Sequence, residues 1–256
     1  MGDTDTQRRG PRSRTWLTAL AVIAALVFTG FAALGTWQVK RLFWKLDLIE
    51  KVDQRVNAPA VAAPGPAQWP QLTATNDEYR HVRVTGTFLH EHETLVQAVT
   101  ALGSGFWVMT PLKLADGTVL LVNRGFVSPE RRARATRQAS EAPSSTTVIG
   151  LLRMSEPPGA FLRHNDPASQ RWYSRDVQAI ANARGLGTVA PYFVDAQATP
   201  AQEWPVGGLT VIAFQNNHLV YAVTWFALAL MVLGAAWYVW RDEQGLRQRQ
   251  TDQNAD

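Results

Sequence analysis

The 256-residue sequence contains no cysteine. That absence excludes disulfides, thiolate zinc sites, CxxC redox pairs and cysteine-based copper carriage in any compartment. Neither charge sign dominates: the formal net charge is only +4. Lys and Arg are spread over both tails, the segment after the first apolar run and the central region, which argues against nucleic acid as a partner. The sequence has no GxSxG, HExxH, P-loop or GxGxxG set between a strand and a helix, and no convincing pair of carboxylates. With none of these present, nothing argues for an enzyme.

What is abundant is uncharged apolar sequence. Trp16 to Leu34 carries no charge and runs for about 19 residues, close to the ~20 that cross a 30 Å hydrocarbon core as helix. Arg8, Arg9, Arg12 and Arg14 precede it, as in a signal peptide. The run is longer than a usual signal-peptide core, however, and leaves as a continuing helical pattern through Trp37, Arg41, Trp44 and Leu48, which favours an uncleaved anchor. Leu219 to Trp240 is a second uncharged run, with Tyr221 and Trp225 near one end and Trp237, Tyr238 and Trp240 at the other, as in an interfacial aromatic belt. The layout expected is a tail (1–15), a transmembrane helix (16–36), an outer domain (37–217), a second transmembrane helix (218–240) and a tail (241–256). The tails carry Arg8, Arg9, Arg12, Arg14, Arg241, Arg247 and Arg249, against Lys40, Arg41, Lys45, Lys51 and Arg55 on the other side. This modest bias places the central domain outside the cytoplasm. Asp3 and Asp5 in the N-terminal tail are unlike a mitochondrial transit peptide, so a bacterial inner membrane with a periplasmic domain is expected.

Between the runs, Trp37 to Val56 reads as an amphipathic helix standing on the membrane surface, with Leu42, Leu46, Ile49, Val52 and Val56 at steps of three and four. The Pro and Ala-rich stretch Asn57 to Gln71 reads as an irregular connection. Strands are expected at His81 to Phe88, Thr94 to Val99, Phe106 to Leu114, Val119 to Val127, Thr146 to Arg153, Pro191 to Asp195 and Gly208 to Phe214. The third and fourth form a hairpin about Ala115-Asp116-Gly117. Ser174 to Arg184 suits a helix ended by Gly185. The sum is an α+β domain dominated by antiparallel strands.

His218 is the most informative of the five histidines, because ionisable groups at the mouth of a span are costly and are functional candidates. At 100° per residue it shares a face with Ala222, Trp225, Ala229 and Ala236, a row with room for a flat object. A neutral imidazole there could ligate haem iron, with Trp225 packing on the ring and Lys40 or Arg41 meeting its propionates. The competing reading packs the Ala row against Ala24, Ala25, Ala32 and Ala33, and leaves His218 merely reaching for the interface. His90 and His92 would share one face of a strand, a ligand-like spacing, but no third ligand is evident. Arg124 and the run Arg131, Arg132, Arg134 and Arg137 could meet an acidic partner, although such runs are usually solvated.

Four blocks carry a resemblance. Gly35-Thr36-Trp37-Gln38-Val39-Lys40-Arg41 with Trp44-Lys45, Tyr79 to Phe88, Val122-Asn123-Arg124-Gly125-Phe126-Val127, and Asn217-His218-Leu219 with Tyr221, Thr224 and Trp225 together resemble the surfeit locus protein family of cytochrome oxidase assembly factors. The blocks fall in the family's order and reach from the first span to the second. The resemblance implies two spans and an outward-facing domain, and a role in building the haem a centres of the catalytic subunit of cytochrome c oxidase. It implies transient binding of haem a, with the contact on His218, and makes His218, Trp225, Tyr221, Lys40 and Arg41 the expected cofactor-binding set. Arg124 and Phe126 are the expected partner contacts, toward the catalytic subunit and other assembly factors. Phe161-Leu162-Arg163-His164-Asn165 and Gln170-Arg171-Trp172-Tyr173 depart from the family, whose members more often show a Pro-Glu-Asn run and an extra His there. No partner contact is carried over through that region. Two functional readings follow: a haem a binding assembly factor, and a cofactor-free scaffold that holds assembly intermediates together. An enzyme of haem modification is disfavoured for want of several intramembrane histidines.

Overall fold

The computed structural model describes residues 12–137, 145–156, 163–199, 203–212 and 214–253. Arg8, Arg9, Phe161, Leu162 and Ala213 lie outside the described residues. In chain order the elements are α1 (Arg14–Asn57), β1 (Val61–Ala62), α2 (Ala74–Asp77), β2 (His81–Phe88), β3 (Thr94–Thr100), β4 (Gly103–Lys113), β5 (Val119–Val127), β6 (Thr146–Met154), α3 (Val177–Arg184), β7 (Val189–Ala196) and α4 (His218–Gln253). They form two compact units that divide between Ile49 and Glu50 and again between Ala213 and Phe214.

The first unit is a pair of long helices. α1 has 44 residues without a break, because no proline occurs in it, and it ends where Pro59 forces Ala58 out of helical geometry. The apolar run and the amphipathic stretch after it are therefore one helix, with no turn between them. α4 is likewise free of proline over 36 residues. Both are long and apolar enough to cross a membrane, and they expose large apolar side chains such as Leu26 and Met231. The inward positions of α4 are His218, Ala222, Trp225, Ala229, Val232, Ala236, Val239 and Glu243, and those of α1 include Phe31, Gly35, Gln38, Leu42 and Lys45. Alternating steps of three and four are the seam of a two-helix coil.

The second unit is a mostly antiparallel sheet in the order β1-β2-β6-β7-β5-β4-β3, in which β1–β2 and β5–β7 are the parallel pairs. It closes on itself: Thr87 and Phe88 of β2 pair with Lys113 and Leu112 of β4. The closed sheet separates two cores. Inside lie Val82, Val84, Leu112, Leu120, Val122, Val148, Leu152, Tyr192 and Val194. Outside, Val96, Met109, Leu121 and Phe193 pack with Trp172 and with Val177 and Ile180 of α3. β2 therefore alternates in burial, whereas β5 is buried on both faces, with apolar Val119 to Val122 and Phe126-Val127 on either side of Asn123-Arg124-Gly125. The proline-rich connection covers one end of the inner core. Trp69 packs there, and Tyr192 Oη donates to the Pro64 carbonyl at 2.8 Å. Burial pushes the Tyr192 phenol well above its ordinary pKa.

Six of the seven expected strands and the helix capped by Gly185 are present, Gly185 at φ +63°. Gly208 to Phe214 is not a strand among the described residues. The segment's one pairing lies earlier, where Val206 and Phe126 exchange backbone bonds of 2.8 and 2.9 Å. Gly208, at φ +73°, then donates to the Ala196 carbonyl and turns the chain out of extended geometry. His90-Glu91-His92 is a 3-10 turn rather than a strand, so the two imidazoles do not share a face. No group of three or more metal-ligating side chains occurs among the described residues.

Candidate functional site

α4 begins at His218, whose Nδ1 lies 2.7 Å from Gln38 Oε1 on α1. The amide oxygen only accepts, so the imidazole donates from Nδ1, which in the neutral tautomer puts the lone pair on Nε2. Outer partners of this kind orient a metal-ligating histidine and raise its basicity. Gln38 is buried, which holds the imidazole at a fixed level of the pair. A nitrogen donor of this kind would suit haem iron.

The space beneath it is a different matter. His218 does share a face with Ala222, Trp225, Ala229 and Ala236, but that face is the seam with α1. Ala222 is 2% and Ala229 3% exposed. A Cβ added to Gly35 would lie 2.8 Å from the Phe226 ring, and Trp225 stacks on Phe31 with centroids 5.7 Å apart. The upper part of the alanine row therefore packs helix against helix. Open space appears at the far end, in an apolar cleft of about 600 Å³ lined by Leu17, Ala24 and Val27 of α1 and Val232, Ala236 and Val239 of α4. Tyr221, Lys40 and Arg41 are exposed, and the Arg41 guanidinium sits 3.9 Å over the Trp44 ring. The pair thus presents an oriented nitrogen donor with exposed cations and an exposed phenol on the same stretch, above a seam that is filled at Ala222 and Ala229.

Arg124 and Phe126 lie on β5 in the second unit. Phe126 is 1% exposed and meets Trp107 edge-on at 6.1 Å, so its ring belongs to the packing. Arg124 is half-buried, with its guanidinium 5.4 Å over the Phe88 ring. The intervening Gly125 has φ +134°, and a Cβ there would lie 2.3 Å from the Val206 carbonyl. Asn123 donates to Asp195 Oδ1 at 2.8 Å and accepts from the Gly125 N–H at 3.1 Å. The Asn-Arg-Gly block is thereby accounted for by backbone geometry and a buried hydrogen bond.

That bond enters a network which the sequence reading did not anticipate. Buried Asp195 accepts from Asn123, from Arg153 and Arg175 at 3.0 Å each, and from Thr210 at 2.9 Å. These four bonds use its four lone-pair sites. Arg153 continues to Glu78 at 2.8 Å, and Arg175 to Glu156. Burial alone would raise the Glu156 carboxyl, yet the hydrogen bonds and charge of Arg175 hold it below the ordinary carboxylate value. No local pattern signals the network, because its members lie on β5, β6, β7 and loops far apart in sequence.

Comparison with known proteins finds a matching family. The model of the SURF1 family matches residues 25–230, a stretch that contains every candidate residue above. Surfeit locus protein 1 of Homo sapiens is 35% identical over 237 residues, covering 86% of this chain and 75% of that protein. The Mus musculus protein of the same name is 34% identical over 238 residues, covering 86% and 73%. The SURF1-like protein of Monosiga brevicollis is 35% identical over 229 residues, covering 84% of each.

Proposed function

This chain belongs to the SURF1 family, and on that premise we propose that it is a membrane-held factor in cytochrome c oxidase assembly which binds haem a through His218 and hands it to the catalytic subunit. Family membership supports the assembly role. The observation that supports the haem reading is the 2.7 Å contact between His218 Nδ1 and Gln38 Oε1, which leaves Nε2 as the free donor of an oriented imidazole. Lys40 and Arg41 are exposed and suit the propionates. A single histidine ligand suits a carrier, which must release its cargo. The role is one of binding and transfer rather than catalysis. In this reading both tails are cytoplasmic and Glu50 to Ala213 faces the periplasm of a bacterial inner membrane, where it meets the catalytic subunit and other assembly factors.

The test is the visible spectrum, with haem extraction, of the detergent-purified chain and its His218→Ala variant, expressed where haem a is made. Haem a in the first and not in the second is expected. Equal haem occupancy in both would remove the ligand assignment.

The filled seam at Ala222 and Ala229 favours a second reading, a cofactor-free scaffold. It expects no haem in either protein, a silent His218→Ala, and loss of co-purification with the oxidase on Arg124→Glu.

A further inference from the structure

The arginine run after β5 is not one solvated face. Arg137 is 3% exposed, and its guanidinium grips Glu93 at 2.6 and 2.5 Å. Arg131 donates to the Thr136 carbonyl at 3.4 Å and stands over Trp204. Arg132 differs: its guanidinium lies 5.0 Å over the Phe106 ring, on the wall of a groove of about 620 Å³. A second guanidinium, Arg163, lines the same groove, 5.5 Å over Tyr173 and donating to Gln97 Oε1 at 3.5 Å. Gln97 lies opposite Phe106 and Val99 opposite Ser104 in the β3–β4 ladder, so these four share one face and make the floor. Among the described lining residues the only charged groups are these two arginines.

The groove borders a strand edge. Gln97 donates its N–H outward to the Trp172 carbonyl at 2.8 Å. By the alternation of an antiparallel ladder, Val99 directs its N–H and C=O to the same outer edge. The pairing of that edge with Trp172 is an isolated bridge at Val96. Val99 itself is 84% exposed, and Leu102 at the hairpin tip is also exposed. Among the described residues nothing pairs with this edge at Val99, and such an edge beside a basic, partly apolar groove has the features of strand addition, in which main-chain bonds supply affinity and alternate side chains enter flanking pockets.

We propose that this groove is a docking site for an extended acidic segment of a partner protein, which adds to the outer edge of β3 at Val99 and sets its carboxylates against Arg132 and Arg163. None of the residues proposed to hold haem is among its lining residues.

The experiment uses the full chain in detergent and two fluorescein-labelled decapeptides, one alternating Glu and Val, the other Lys and Val, followed by fluorescence anisotropy. The Glu-Val peptide is expected to bind and the Lys-Val peptide to bind at least about tenfold more weakly, with the preference fading in high salt. The Arg132→Glu/Arg163→Glu variant should reverse the preference, a gain that a misfolded protein would not show. Val99→Pro, which removes an N–H outside the β3–β4 ladder, should weaken the Glu-Val peptide with its salt dependence retained. Equal binding of the two peptides, or an unchanged preference in the double variant, would overturn the proposal. So would a preference for phosphatidylglycerol nanodiscs that the double variant loses while peptide binding persists, since the groove would then serve a lipid headgroup.

Discussion

At the scale of single residues, the pairing of Gln38 with His218 joins positions 180 apart in sequence. His218 stood out in the sequence because an imidazole at the mouth of an apolar run has a cost that asks for a reason. Gln38 did not, since a lone amide near an interface is unremarkable until its partner is known. The pair carries a prediction. Gln38→Leu removes the acceptor that fixes the tautomer and should lower haem retention by roughly tenfold or more, the usual effect of losing an outer partner. Gln38→Glu keeps an acceptor at the same place and should retain haem. Haem titration of the purified variants, read at the Soret band, checks both, and equal retention in Gln38→Leu would show that the contact is only structural. Phe126 makes the converse point: it stands out in the sequence within a distinctive block, and its prominence comes from core packing against Trp107.

At the scale of elements, most strands were legible because the sheet is buried in two distinct ways. β2 alternates, since one face meets the inner core and the other is open. β5 opens with four consecutive apolar residues, Val119 to Val122, because both faces are covered there. What could not be read was closure. The β2–β4 contact involves two residue pairs, and nothing in either strand announces a partner so far along the chain. Gly208 to Phe214 has strand-like composition, but the backbone turn at Gly208 overrides it. The ionic network that ties β5, β6 and β7 together was equally illegible, and removing one member of it should be costly. Asp195→Ala leaves two largely buried guanidiniums without their shared carboxylate, a loss of about 3–5 kcal/mol. By thermal unfolding of the full chain in detergent, followed by circular dichroism, that should lower the transition by at least about 6 °C. A shift within about 1 °C of wild type would mean that water replaces the carboxylate at little cost.

Glu156 adds a pH dependence at the same scale. Its carboxyl is held below the ordinary value in the folded protein, so its contribution is fully present above the unfolded value and is lost as pH falls through the folded one. Wild type should therefore lose stability relative to Glu156→Gln as pH falls below about 4.3. Parallel unfolding curves for the two proteins from neutral pH through that range would contradict the assignment.

At the scale of the whole molecule, the two long helices and the central domain were foreseen from hydropathy, and the unbroken run of α1 from Arg14 to Asn57 refines the layout by joining the first span to the amphipathic stretch. In the proposed function both tails lie in the cytoplasm, the side that the arginines of the tails favour. The absence of cysteine makes the orientation directly measurable, since a single introduced thiol has no background. Val99→Cys puts a thiol at a highly exposed position of the central domain, and Thr251→Cys puts one near the exposed end of α4. With a membrane-impermeant maleimide applied to intact bacterial spheroplasts, Val99→Cys should be labelled at once and Thr251→Cys only after lysis. The reverse pattern would place the central domain in the cytoplasm, on the wrong side for the proposed delivery of haem from the periplasmic face. Labelling of both in intact spheroplasts would require the tail and the domain to share the outer face, and so would remove one of the two spans.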